Sequence, residues 1–232
     1  MKKNKLHFTI FLLTLIATFS IAKSQTKVGI KAGVNFSNMM IINENGNKEN
    51  TQSTPGILLG LTSDISIIGD FYIQPAILYS SKGFKQETGG FYGSATNFEV
   101  KAEYIEVPIN MLYKPRLNGG HLLLGAGPYI SYGTGGNWKS DTDILIGDIR
   151  IKGEGNVAFR NDGSIRNDAE YTYGRPLDYG LNATLGYEYP KRLSLQFNAQ
   201  VGLANLEPKF GGTESKGKLK NTGFGISLGY KF

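Results

Sequence analysis

Leu193-Ser194-Leu195-Gln196-Phe197-Asn198-Ala199-Gln200-Val201-Gly202-Leu203 alternates without a break: every odd position is apolar and every even one is polar or glycine. Successive side chains of a β-strand point to opposite faces, so this pattern describes a strand with one apolar and one polar face. The stretch is also long enough for a tilted strand to cross a bilayer.

The same alternation recurs, separated by turn residues, over about 27–36, 55–66, 70–82, 100–113, 121–133, 177–189, 192–203 and 221–232. Two architectures accommodate such strands: a soluble sandwich or barrel with its apolar face inside, or a membrane barrel turned inside out. The polar face decides between them. Its positions are Lys31 and Asn35, Thr62 and Asp64, Gln74, Lys82, Glu106 and Asn110, Asn182, Thr184 and Glu188, Arg192, Gln196, Asn198 and Gln200, and Ser227 and Lys231, with glycine at many of the rest. A soluble surface is rich in Lys and Glu. Amides, hydroxyls, glycines and a few charges of both signs suit a crowded lumen, where Lys31, Asp64, Gln74, Glu106, Asn110, Glu188, Arg192, Gln196 and Lys231 are expected to form a paired polar network.

Composition agrees. The 232 residues hold 31 Gly, 13 Tyr and 13 Phe, with only 19% charged residues, which argues for strands and turns over a helical bundle. Cysteine is absent, which removes disulfides, thiolate metal sites and cysteine nucleophiles. The formal charge of +6 invites a nucleic-acid reading, but much of it lies in the first 24 residues. Lys2, Lys3 and Lys5, an apolar run from Phe8 to Ala22 and the exit Ala22-Lys23-Ser24 read as a secretory signal peptide over 1–24, cut before Gln25. Its run is shorter than the roughly 20 residues of a spanning helix. Without it, 21 basic residues face 19 acidic ones, and the case for a nucleic-acid partner disappears.

Two further patterns support the membrane reading. On the apolar face Phe71, Tyr113, Tyr187, Tyr230 and Phe232 fall at one end of the strands, and Phe36, Tyr79, Tyr132, Tyr179 and Phe224 at the other, as two interfacial girdles do. Connections alternate strictly between long (37–54, 83–99, 134–176, 204–220) and short (67–69, 114–120, 190–191). The expected fold is all-β: an eight-stranded antiparallel up-and-down transmembrane β-barrel over 25–232, with long extracellular loops, short periplasmic turns and both termini in the periplasm of a Gram-negative cell.

Ile73-Gln74-Pro75-Ala76-Ile77-Leu78-Tyr79-Ser80-Ser81-Lys82-Gly83-Phe84, Tyr104-Ile105-Glu106-Val107-Pro108-Ile109, Leu124-Gly125-Ala126-Gly127-Pro128-Tyr129 and the closing Gly223-Phe224-Gly225-Ile226-Ser227-Leu228-Gly229-Tyr230 resemble the PorT-type outer-membrane β-barrel family. The resemblance covers essentially all of 25–232, is specific for fold and says little about function, although the family's founding member implies a role in protein secretion. The terminal Tyr230-Lys231-Phe232 resembles the signal by which the outer-membrane assembly machinery recognises its clients. Pro75, Pro108 and Pro128 each remove a ladder donor in mid-strand, so bulges are expected there, as the family pattern tolerates.

Catalysis has little to draw on. Outside the leader the one histidine is His121, beside a short turn, and no catalytic, cofactor or metal site is expected. Eight strands enclose a lumen that side chains fill, so the interior is expected to be a salt-bridged plug. Function then falls to the loops. The connection 134–176 is too long for a plain connector, and Gly153-Glu154-Gly155 between Ile144–Lys152 and Asn156–Phe159 signals an extracellular hairpin, or two further membrane strands making ten. Trp138, Tyr171 and Tyr173 near its base are candidate contacts for a partner protein, a surface glycan or lipopolysaccharide, and Lys209, Lys216, Lys218 and Lys220 for lipopolysaccharide phosphates. Two roles stay open: a non-enzymatic surface or structural scaffold, and an accessory component of a secretion or envelope-assembly complex. The expected partners are outer-membrane lipid and lipopolysaccharide, the assembly machinery during insertion, and an envelope or secretion protein.

Overall fold

The computed structural model describes residues 26–89, 95–146, 148–163, 170–209 and 211–232; the leader read over 1–24 lies outside them. The strands are β1 (Thr26–Ile42), β2 (Thr54–Ile68), β3 (Phe71–Gly89), β4 (Ala95–Tyr113), β5 (Arg116–Leu117), β6 (Gly120–Lys139), β7 (Ile144–Ile146), β8 (Ile149–Ile151), β9 (Glu154–Phe159), β10 (Glu170–Gly174), β11 (Leu177–Glu188), β12 (Leu193–Gly202) and β13 (Lys218–Lys231). Eight of them form a closed antiparallel ring in the order β1-β2-β3-β4-β6-β11-β12-β13, with β13 returning to β1. Neighbours in the chain are neighbours in the ring, so the barrel is up-and-down.

Alternation sets which face each residue takes. Val28, Ile30, Leu59, Leu61, Ile77, Ile109, Leu181, Leu195, Phe197, Ile226 and Leu228 point outward and are exposed. Both aromatic sets also face outward, with Phe71 stacked on Tyr113 and Phe36 stacked on Phe224. A continuous apolar belt of this extent is far beyond what a water-facing monomer exposes, and it matches a hydrocarbon surround.

The strands run further than the alternation predicts. β3 continues to Gly89, β4 begins at Ala95 and β6 reaches Lys139, so β3 alone is about 60 Å long, more than a tilted strand needs for a roughly 25 Å apolar band. Beyond the belt the polarity of the two faces inverts. Inward positions become Phe84, Phe98, Val100, Ala102 and Trp138, all essentially fully buried, while Lys85, Glu87 and Lys101 turn outward. The barrel is inside out at the turn end and packs like a water-soluble protein at the loop end.

The segment 134–176 differs from the hairpin expected there. β7 pairs with β8 (Ile144 opposite Ile151) inside the first predicted arm, and Glu154 and Gly155 belong to β9 rather than to a turn. β9 joins the extended edge of β6, with Asn137 opposite Asn156, and runs parallel to β10. An unpaired edge on β6 and the chance to bury Val157 explain this pairing. Neither arm is a stave of the ring, so the strand count is eight, not ten.

The prolines do not create bulges. Across the prolines the register is kept and rungs are omitted: β3–β4 pairs pass from Pro75 opposite Ile109 to Leu78 opposite Glu106, and β4–β6 pairs from Pro108 opposite Tyr129 to Met111 opposite Ala126, whereas β6–β11 keeps Pro128 opposite Leu181; the β4–β6 register shifts away from the prolines, between Glu103 and Tyr104. Lumen amides reach carbonyls beside these gaps and across the wall. Asn182 donates to Gly127 O at 3.0 Å and Asn35 to Ser81 O at 2.9 Å.

Glycine is required where staves approach closely. A Cβ at Gly60 would lie 2.0 Å from the Ile77 carbonyl oxygen and 2.8 Å from the Leu78 Cα. Gly60→Val is therefore expected to abolish the compact, heat-modifiable band on denaturing gels, whereas Leu59→Val, on the outward face of the same strand, leaves it intact.

Candidate functional site

The turn end of the lumen is closed by a network centred on Asp64, which the inward parity of β2 places among groups from four other parts of the ring. Lys231 Nζ lies 2.7 Å from Asp64 Oδ1 and donates to Thr62 Oγ1 at 2.8 Å. Gln74 Nε2 donates to Asp64 Oδ1 at 2.7 Å. Lys114 Nζ bridges Asp64 Oδ2 at 3.0 Å and Glu188 Oε2 at 2.7 Å, and it lies over the Tyr72 ring.

A second network lies toward the loop end. Lys82 Nζ is 2.9 Å from Glu106 Oε2 and 3.5 Å from Asp178 Oδ2, and it sits 4.6 Å from the Tyr129 ring centroid. Gln200 Nε2 donates to Glu106 Oε1 at 2.8 Å. Asn221 Nδ2 donates to Asp178 Oδ2 at 3.0 Å, and Tyr173 OH donates to Asn221 Oδ1 at 2.7 Å. Between the two networks Lys31 Nζ donates to Asn198 Oδ1 at 2.7 Å beside a cavity of about 70 Å³ that Asn110, Glu106 and Lys82 also line. That volume is enough for a few waters.

Among the described lumen residues the buried charges balance: Lys31, Lys82, Lys114 and Lys231 against Asp64, Glu106, Asp178 and Glu188. Low dielectric makes an unpaired charge very costly, so near-neutrality is what allows these side chains to be enclosed. Above them Met39, Phe84, Phe98, Val100, Tyr104, Trp138, Tyr173 and Leu206 form one apolar cluster. It closes the loop end.

The structure places Lys31, Asp64, Gln74, Glu106, Asn110, Glu188, Gln196 and Lys231 in the lumen, all buried. Arg192 is not there. It is exposed in the turn of residues 189–192 between β11 and β12 with φ 66°, where its amide donates to Tyr189 O, because β12 begins only at Leu193 and the turn takes Arg192 out of the strand's alternation. Trp138 and Tyr173 are buried and Tyr171 partly so, packed in the aromatic cluster. They are core residues, not contacts offered to a partner, because the polarity inversion turns them inward. Sequence reasoning missed Lys114 and Asp178. Both continue inward series already in hand, Asp178 two before Gly180 on β11 and Lys114 two after Leu112 on β4. His121 is half-buried opposite Arg116 and Glu188, and Lys209 pairs with Glu214 at 2.9 Å.

Outside the apolar belt, Glu99 of β4 is buried while Lys85, Lys101 and Lys139 lie 3.2–3.6 Å from it. Burial alone would raise its pKa, but the hydrogen bond from Thr54 and the neighbouring lysines hold it at about 2 against an ordinary 4.5.

A family model described as the outer membrane protein beta-barrel domain matches residues 7–207. Among solved structures the chain is similar to Ail, the attachment invasion locus protein of Yersinia pestis, in complex with the heparin analogue sucrose octasulfate (12% identity, TM-score 0.41, 90% of this chain and 99% of that one). It is also similar to the Neisserial surface protein A (12%, 0.42, 88% and 97%) and to OprG from Pseudomonas aeruginosa (12%, 0.43, 90% and 96%). No curated protein matches in sequence.

Two outcomes follow. Lys114→Met removes the cation shared by Asp64 and Glu188 and is expected to cost about 3–5 kcal/mol in denaturant unfolding from detergent, with part restored in Lys114→Met/Glu188→Leu. A depressed carboxyl pKa gives stability that is complete above pH 4.5 and fades as pH falls toward 2. Glu99→Gln is therefore expected to flatten the unfolding midpoint across that window; an unchanged pH profile would contradict the assignment.

Proposed function

Since the chain belongs to the outer membrane protein beta-barrel domain family, we propose that it is a closed, non-enzymatic surface scaffold of the Gram-negative outer membrane, with its long loops outside the cell and both termini in the periplasm. The observation that carries this reading is the double seal of the lumen. A neutral salt-bridged network fills the turn end and an aromatic cluster the loop end, and the lumen carboxylates are engaged with lysines or amides. Such groups are held for packing and neutrality, not for proton transfer or ion passage. The loop end stands as a rigid pedestal that presents polar, charge-mixed loops, where binding function concentrates on barrels. The basic and apolar leader pattern over 1–24 fits export from the cytoplasm.

The PorT-like role in a secretion or envelope-assembly complex is the second reading. It rests on the sequence motifs around Pro75, Pro108 and Pro128, whose missing rungs lie in three adjacent staves and offer one wall for lateral contact.

Purified protein in planar bilayers is expected to show negligible conductance; stable ion-permeable openings would overturn the sealed-barrel reading. Crosslinking in intact cells separates the two roles. A monomer supports the scaffold, and a stoichiometric envelope partner supports the complex.

A further inference from the structure

Charge is not shared evenly between the two ends of the barrel. Beyond the leader 21 basic residues face 19 acidic ones, and the lumen encloses four of each. The turn end exposes Lys27, Arg116, Lys191 and Arg192 against one acidic side chain, Asp70, and so carries more than the whole excess. The carboxylate of Phe232 leaves this face cationic. None of the four cations has a carboxylate within ion-pair distance among the described residues. Several loop-end cations, by contrast, have carboxylates beside them: Lys85, Lys101 and Lys139 share Glu99, Arg150 has Asp143 and Lys209 has Glu214.

Backbone contacts join the four into one rim. The turns 114–119 and 189–192 touch, with Tyr187 OH donating to Leu117 O at 2.8 Å and a Cβ at Gly119 falling 3.9 Å from Pro190 Cγ. Lys231 N donates to Arg192 O at 3.0 Å and Phe232 N to Val28 O at 2.8 Å, which ties the start of β1, and Lys27 with it, to the same rim. The lower aromatic girdle fixes its depth. Arg116 is three residues past Tyr113 and Lys191 four past Tyr187, while Arg192 and Lys27 stand one and three residues beyond Leu193 and Ile30, both opposite Tyr230. At about 3.3 Å per residue along tilted strands, every cation lies within roughly 10 Å of the girdle along the barrel axis, at the level of the headgroups. Ile68, 73% exposed, Leu117 and Tyr189 stand among them. Cationic tips mixed with apolar bodies suit that interfacial layer, whereas a soluble acidic partner offers Ile68 and Leu117 nothing apolar.

We propose that the turn end selects anionic phospholipid headgroups, of the phosphatidylglycerol class, in the leaflet that surrounds it. Lys and Arg just outside the hydrocarbon are attracted to an anionic lipid surface, an attraction that fades within a Debye length. The orientation proposed above makes this the periplasmic leaflet; the headgroup preference itself rests on charge and depth alone.

The test is native mass spectrometry of the full chain in mild detergent, with phosphatidylglycerol and phosphatidylethanolamine of matched acyl chains as competing probes. The wild type is expected to retain phosphatidylglycerol about tenfold over phosphatidylethanolamine, and less so as salt rises. Lys27→Gln/Arg116→Gln/Lys191→Gln/Arg192→Asn abolishes the preference, with asparagine at 192 because it tolerates the positive φ there. Lys48→Gln/Lys216→Gln/Lys218→Gln/Lys220→Gln, at the loop end, leaves it unchanged. Heat-modifiable migration verifies folding, and if the fourfold turn-end variant misfolds, the pairs Lys27→Gln/Arg116→Gln and Lys191→Gln/Arg192→Asn decide, each lowering the preference. Equal retention of the two lipids by the wild type, a preference that survives in the folded turn-end variants, or its loss in the loop-end variant overturns the proposal. Labelling of Asn118→Cys by a maleimide too bulky to cross the outer membrane reads the orientation separately, so a reversed barrel is distinguished from a face without lipid preference.

Discussion

The pairing of the first stave with the last is the interaction on which the rest of the structure depends. β1 meets β13 from Gly29 opposite Lys231 to Ile42 opposite Lys218, and this closure leaves no free edge where the wall is surrounded by hydrocarbon. Water is not available there to satisfy a backbone group, so the strands must bond one another all the way round. Closing with eight staves makes the lumen narrow. A narrow lumen must be filled by side chains, those side chains are polar because the apolar ones face out, and their charges must then cancel. The four lysines and four carboxylates of the interior follow from the ring.

The same ring explains the change of character along its axis. Hydrocarbon ends at the upper aromatic girdle, but β3, β4 and β6 do not. Above it the outer face meets water and the inner face loses its reason to be polar, so Lys85 and Lys101 turn out while Phe84, Phe98 and Trp138 turn in. One period of two residues serves both halves with opposite assignments. The join falls where Tyr104 and Tyr173 place rings above and hydroxyls within the polar network, with Asn221 between them.

Much of this was legible in the residues. The stretch 193–203 displays its two faces outright, and the eight strands, their order and the buried positions of Lys31, Asp64, Glu106, Glu188 and Lys231 follow from parity. What escaped was set by context. The strand extensions were hidden because the apolar face changes sides, which ends the pattern a reader follows. Trp138, Tyr171 and Tyr173 looked like exposed loop aromatics for the same reason. Parity alone assigns Arg192 to the lumen, because alternation does not register a turn with positive φ. Lys114 and Asp178 obey the same parity, two residues beyond Leu112 and two before Gly180.

Within the belt the barrel is inverted: apolar side chains face lipid and polar ones the lumen. Spin labels placed one at a time along 193–203, in protein reconstituted into bilayers, measure this directly through collision with oxygen and with a water-soluble nickel complex. High oxygen accessibility is expected at Leu195, Phe197 and Val201 and low accessibility to both reagents at Ser194 and Gln196, alternating with period two. Odd positions shielded from oxygen, or even positions open to it, would contradict it.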